Sequence, residues 1–132
     1  MNPPNPSRTV PLLAWLAVLG TGCDGVAPVL DTSAPVIDLL EPAGGSVLPA
    51  GEPFVVCFDV TENDQLHGWE ILVLNDSTGR QVDYRHGHEH ARNLRVTDTV
   101  DVPGAFRCRL VIRADDHTGN VGEAVRTVRL ME

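Results

Sequence analysis

From residue 35 onward apolar side chains recur at every second position. Phe54, Val56, Phe58 and Val60 form one such series, and Trp69, Ile71 and Val73 another. Leu94, Val96, Val100 and Val102 alternate with Arg95, Thr97, Thr99 and Asp101. Phe106, Cys108, Leu110, Ile112 and Ala114 alternate with Arg107, Arg109 and Arg113. Side chains of a strand point to opposite faces in turn, so each series predicts a strand with one buried and one wet face. The predicted strands cover residues 36–40, 54–60, 69–74, 81–85, 94–102, 106–114 and 121–130. Clusters of turn formers separate them, including Pro42-Ala43-Gly44-Gly45-Ser46, Asn75-Asp76-Ser77-Thr78-Gly79 and Pro103-Gly104. No run carries a helical period.

About seven or eight short strands in about 100 residues is the size and density of an immunoglobulin-like (Ig-like) antiparallel β-sandwich. Such a fold packs two sheets through their apolar faces and leaves the polar faces in water. The expected fold class is therefore all-β.

The pattern before residue 35 is different. Residues 1–22 hold Arg8 and no acidic residue, and an apolar run extends from Val10 to Leu19. That run falls short of the roughly 20 residues needed to cross a bilayer, and has the length of a signal-peptide core. Gly20-Thr21-Gly22 places small residues before Cys23, which resembles the lipobox of bacterial lipoproteins. The usual Leu three residues before the Cys is replaced by Gly20, with Leu19 one position earlier. The resemblance implies lipidation at Cys23; a plain cleaved secretory signal is the alternative. The expected organisation is a signal segment over 1–22, a lipidated Cys with tether over 23–34, and one domain over 35–132. The expected location is the envelope of a bacterium, membrane-held through the lipid anchor.

The chain carries 18 acidic and 10 basic residues, a net charge of −8, and every basic residue is Arg. A phosphate backbone demands a positive surface, so nucleic acid is excluded as a partner. Charge-driven docking on anionic lipid is excluded for the same reason.

Pro35-Val36-Ile37, Glu41-Pro42 and Gly45 resemble the opening of many bacterial Ig-like domains. Ala114-Asp115-Asp116-His117-Thr118-Gly119-Asn120 resembles their A-x-D-x-x-G-N turn with one residue inserted. The His-x-His element over residues 86–90 is similar to one in an uncharacterised family of bacterial Ig-like lipoproteins. Such resemblance speaks to fold and little to activity, because the scaffold hosts many roles. It implies a disulfide between Cys57 and Cys108 with Trp69 packed against it. The alternation opposes this: Cys108 shares the apolar face of its run, whereas Cys57 lies between Val56 and Phe58 and points the other way. The pairing stays open.

The candidate chemistry lies in His86-Gly87-His88-Glu89-His90. In an extended segment the three imidazoles share a face about 6.6 Å apart, and Zn²⁺, Cu²⁺ and Ni²⁺ accept such donors. In an Ig-like topology His67, at the entry of the third long strand, and His117, in the last turn, fall at the same end. The five histidines of the chain would then gather at one pole as a metal shell, with His67 or His117 completing the set begun by His86, His88 and His90. The alternative is a solvated loop that Gly87 loosens. Asp59, Glu62, Asp64, Asp115 and Asp116 form an oxygen set acceptable to Ca²⁺, without EF-hand spacing. No G-x-S-x-G elbow, Walker loop or H-E-x-x-H is present. The expectation is thus a non-enzymatic, envelope-tethered Ig-like module binding a divalent transition metal. Its competitor is a structural or adhesive module with a protein or glycan partner, in which the histidines are incidental.

Overall fold

The computed structural model describes residues 25–132, so the signal-segment and Cys23 readings lie outside the described residues. Eight strands follow one another: β1 (Val36–Glu41), β2 (Val47–Pro49), β3 (Phe54–Thr61), β4 (Leu66–Asn75), β5 (Gln81–His88), β6 (Asn93–Val100), β7 (Arg107–Asp116) and β8 (Val121–Met131). They form two sheets, ordered β1-β3-β6 and β2-β8-β7-β4-β5. The chain is all-β over the described residues, and no helix long and apolar enough to cross a membrane occurs among them.

The core lies between the sheets and is built from the alternating positions. Val56, Phe58 and Val60 of β3 meet Ile71 and Val73 of β4 and Leu110 and Ile112 of β7, all essentially without solvent contact. Removing such a side chain from water is worth about 1.5–3 kcal/mol each. Trp69 closes this core at one end, edge-on to Phe58 with ring centroids 5.8 Å apart.

Three elements differ from the sequence reading. β2 has only three residues and pairs in parallel with β8, Leu48 opposite Leu130; a segment this short between two turns has no period to read. β4 begins at Leu66 and not at residue 69, and β5 runs on to His88, so His86 and His88 stand in a strand and not in a loop.

Cys57 and Cys108 are both free. Cys108 is buried in the core, while Cys57 sits on the outer face of β3, where the Thr97 hydroxyl reaches its Sγ at 3.5 Å. The implied disulfide is not made, because the period-two geometry of β3 aims Cys57 away from the space between the sheets. Burial, assisted by the charge of Asp76, pushes the Cys108 thiol up to about 12. A thiol so buried is neutral and inert. In the native protein a thiol-reactive probe is therefore expected to label Cys57 and spare Cys108, with reductant leaving Tm unchanged. Labelling of Cys108 at a comparable rate would contradict this packing.

Candidate metal centre

The pole beyond Trp69 is assembled by three connections. The β3–β4 loop is tied to the β5–β6 loop: the Glu62 amide donates to the Arg92 carbonyl at 2.7 Å and the Leu66 amide to the Ala91 carbonyl at 3.0 Å. The Arg92 guanidinium donates to the Asp64 carbonyl at 2.9 Å. These bonds set His90 beside the start of β4.

The third connection is the β7–β8 turn, organised by Asp116. Its Oδ1 accepts from the Thr118 amide (2.8 Å), the Thr118 hydroxyl (2.8 Å) and the Asn120 amide (2.9 Å), and its Oδ2 from the Asn120 side chain at 2.7 Å. Burial works against the charge of Asp116, yet the bonds from Asn120 and Thr118 outweigh it and bring the carboxyl from its ordinary 3.8 down to about 2. A folded value below the unfolded one means a stabilisation that is whole above about pH 5 and lost as pH falls through about 2. The Tm gap between the native chain and Asp116→Asn is therefore expected to shrink steadily over that range. A gap independent of pH would mean that the turn does not need the charge.

A β-bulge positions His67. In the β4–β7 ladder Leu66 pairs with Asp116 and Gly68 with Asp115, which leaves His67 as the extra residue. Strict alternation would put His67 on the core face with Trp69 and Ile71. The bulge reverses the phase, so Leu66 is buried and His67 is exposed. Gly68 faces His88 across the β4–β5 ladder, which brings His67 onto the side occupied by His88.

Four imidazoles then form a closed ring. Centroids are 4.5 Å apart for His67 and His88, 4.7 Å for His88 and His90, 4.9 Å for His90 and His117, and 5.0 Å for His117 and His67. Nε2 of His88 lies 3.2 Å from Nε2 of His90, and Nδ1 of His90 lies 2.9 Å from Nε2 of His117. Two nitrogens each 2.0–2.1 Å from one ion at bond angles of about 90–109° are about 2.9–3.4 Å apart, so both separations suit a shared ion. His90 meets its two neighbours through different nitrogens. One ion takes one of these, and exposed side chains close the shell by rotation. All four rings are exposed, which gives an ion a route in.

His86, expected among the ligands, is not in this ring. It stands one rung back along β5, opposite Glu70, with its ring 5.4 Å from that of Tyr84. Around it runs a polar network in which the Tyr84 hydroxyl donates to Glu70 at 3.0 Å and Arg113 contacts both Glu70 (3.4 Å) and Glu123 (2.8 Å). The bond to Glu70 raises the Tyr84 phenol above its ordinary value. An open groove of about 840 Å³ passes from this network to His67 and His88.

Gly87 is not a loosening element. It lies in β5 directly opposite Trp69, and a Cβ there would stand only 2.4–2.5 Å from atoms of the indole ring.

The acidic set divides. Asp59 is held by Arg95 through two bonds of 2.7 Å, which lowers its carboxyl, and Asp64 is contacted by Arg92. Glu62 and Asp116 join a residue that the sequence reading had left in the tether, Asp31: one carboxylate oxygen of each lies within 4.8 Å of the others. Asp31 has no periodic neighbours to mark it, so only the folded chain shows this convergence.

No protein-family model matches the chain, and no curated relative matches it. Two solved structures of superoxide reductase (neelaredoxin) from Ignicoccus hospitalis, one of them a variant, are similar in fold. The variant is 12% identical with a TM-score of 0.49, covering 74% of this chain and 80% of its own. The other is 14% identical with a TM-score of 0.48, covering 75% and 81%. Both are named as enzymes, and the expectation of a non-enzymatic module is withdrawn on that finding.

Proposed function

We propose that the chain binds one divalent transition-metal ion through His67, His88, His90 and His117. The observation that carries this reading is the closed ring of four imidazoles, drawn from β4, β5, the β5–β6 loop and the β7–β8 turn, in which two neighbouring pairs of nitrogens stand 3.2 and 2.9 Å apart. Incidental histidines on a solvated loop have no reason to converge from elements so distant in sequence. Imidazole donors suit Zn²⁺, Cu²⁺, Ni²⁺ and Fe²⁺.

The reading includes an Ig-like scaffold. Its support is the strand order, in which β1-β3-β6 faces a sheet containing β8-β7-β4-β5, as strands A, B and E face G, F, C and C′ in that fold. Export and lipid attachment through Cys23 complete the proposal and rest on the pattern of residues 1–23 alone. Such a protein would hold its metal at the end of the domain where the tether enters, since the Asp31 carbonyl rests on the β7–β8 turn that carries His117.

Calorimetric titration of the metal-stripped full chain with Zn²⁺, Cu²⁺, Ni²⁺ and Fe²⁺ tests it. One ion per chain, bound at submicromolar Kd by at least one of these metals, is expected. Weak, multiple-site binding by all four would refute the reading.

A further inference from the structure

At the same pole lies a second, chemically different cluster that the histidine reading does not use. We infer that Asp31, Glu62 and Asp116 form a Ca²⁺ site that latches the segment preceding β1 onto the pole.

Glu62 carries the argument. It is 4% exposed, and its Oε1 accepts from the Asp64 amide at 3.1 Å. Its Oε2 is buried and has no hydrogen-bond donor among the described residues. A buried carboxylate oxygen without a donor or a cation is costly, and native proteins rarely leave one so. The groups next to Glu62 are two further carboxylates, those of Asp31 and Asp116, and one oxygen of each of the three lies within 4.8 Å of the others. No guanidinium among the described residues forms an ion pair with any of the three, and the chain has no Lys. Three carboxylates converging without a counter-charge repel one another, and a dication at their centre turns the repulsion into attraction.

The donor set selects the ion. All the ligands are hard oxygens, which favours Ca²⁺ over the metals that prefer imidazole. Mg²⁺ is held through one or two carboxylates and retains its waters, whereas Ca²⁺ takes six to eight oxygens at about 2.3–2.6 Å in adaptable geometry. Three carboxylates from three separate segments suit the latter.

The segment is already seated for closure. The Asp31 carbonyl accepts from the Thr118 hydroxyl at 3.3 Å and the Asn120 side chain at 3.0 Å, and Asp31 Oδ2 accepts from the Asn63 side chain at 3.0 Å. Four residues on, the Pro35 backbone lies so close to Gly122 of β8 that a Cβ at Gly122 would collide with its carbonyl. The ion would fasten a stretch without regular structure (residues 25–35) to the turn that carries His117. The site stands on its own observations and does not depend on the histidine reading.

The test measures Tm of the chelator-stripped full chain with and without Ca²⁺, beside Glu62→Gln, Asp31→Asn and His90→Ala. Saturating Ca²⁺, about a hundredfold above Kd, is expected to raise Tm on the order of 10 °C. The rise should persist in His90→Ala, be absent in Glu62→Gln and Asp31→Asn, and be much smaller with Mg²⁺. Asp31 belongs to no strand, so Asp31→Asn remains informative even if Glu62→Gln fails to fold. Slower proteolysis within residues 25–35 on adding Ca²⁺ is the second expected readout. No Ca²⁺ response in the native chain overturns the inference, as does an undiminished response in Asp31→Asn or an equal response to Mg²⁺.

Discussion

His90→Ala is expected to weaken transition-metal binding about 100-fold or more, while His86→Ala leaves it nearly unchanged. Loss of even a supporting group beside a metal costs 10–100-fold in affinity, and loss of a ligand costs at least that. His90 sits at the middle of the chain His88–His90–His117, at 3.2 and 2.9 Å from its neighbours, so its removal separates the other two. His86 contributes to the Tyr84 face and to none of the four centroid contacts of the ring. His67→Ala and His117→Ala should resemble His90→Ala in direction. Calorimetry on the purified variants, with equal folded fractions established by circular dichroism, makes the comparison. Equal losses for His86→Ala and His90→Ala would show that metal binds the extended His-x-His-x-His run and not the ring. Full retention in His90→Ala would remove the site altogether.

Gly87→Ala should lower Tm by on the order of 10 °C, an unusually large effect for adding one methyl group to a strand. Forcing extra volume into packed structure costs about 1–3 kcal/mol, and each kcal/mol moves Tm by about 4–8 °C in a domain of this size. The added Cβ would come within about 2.5 Å of the Trp69 indole, which also meets Phe58 in the core. Trp69 must move, and both the end of the core and the β4–β5 pairing that presents His88 move with it. Gly25→Ala is the control, since nothing lies within 4 Å of a Cβ at that position. An unchanged Tm for Gly87→Ala would mean that Trp69 yields without cost and that the glycine has no packing role.

The two results probe one design. A glycine in β5 lets a tryptophan cap the core, and the strand it belongs to carries a proposed metal ligand on its next residue, His88. Core and candidate site therefore share a wall, so a substitution aimed at one is felt by the other.

Much of this was legible along the chain. Phe54 to Val60, Trp69 to Val73 and Phe106 to Ala114 announced their strands because period two leaves no other way to bury every second side chain against a facing sheet. The same rule showed that Cys57 and Cys108 point in different directions, against the disulfide that the Ig-like resemblance implied. The histidines were conspicuous too, because five imidazoles confined to three short segments stand out even without coordinates.

What the chain could not disclose depends on phase and distance. Alternation assigns His67 to the core; a single extra residue in the β4–β7 ladder turns it outward, and bulges leave no mark in the hydrophobic pattern. His86 and His88 are equivalent by spacing, yet one rung of β5 separates a residue in the ring from one outside it. Asp31 reads as a tether residue, and only the crossing of the chain over the β7–β8 turn sets it beside Glu62 and Asp116. Sequence alone determined which faces are buried, because burial follows local periodicity. Tertiary structure decided which polar groups meet, because strand register and loop crossing are set by contacts between residues far apart in the chain.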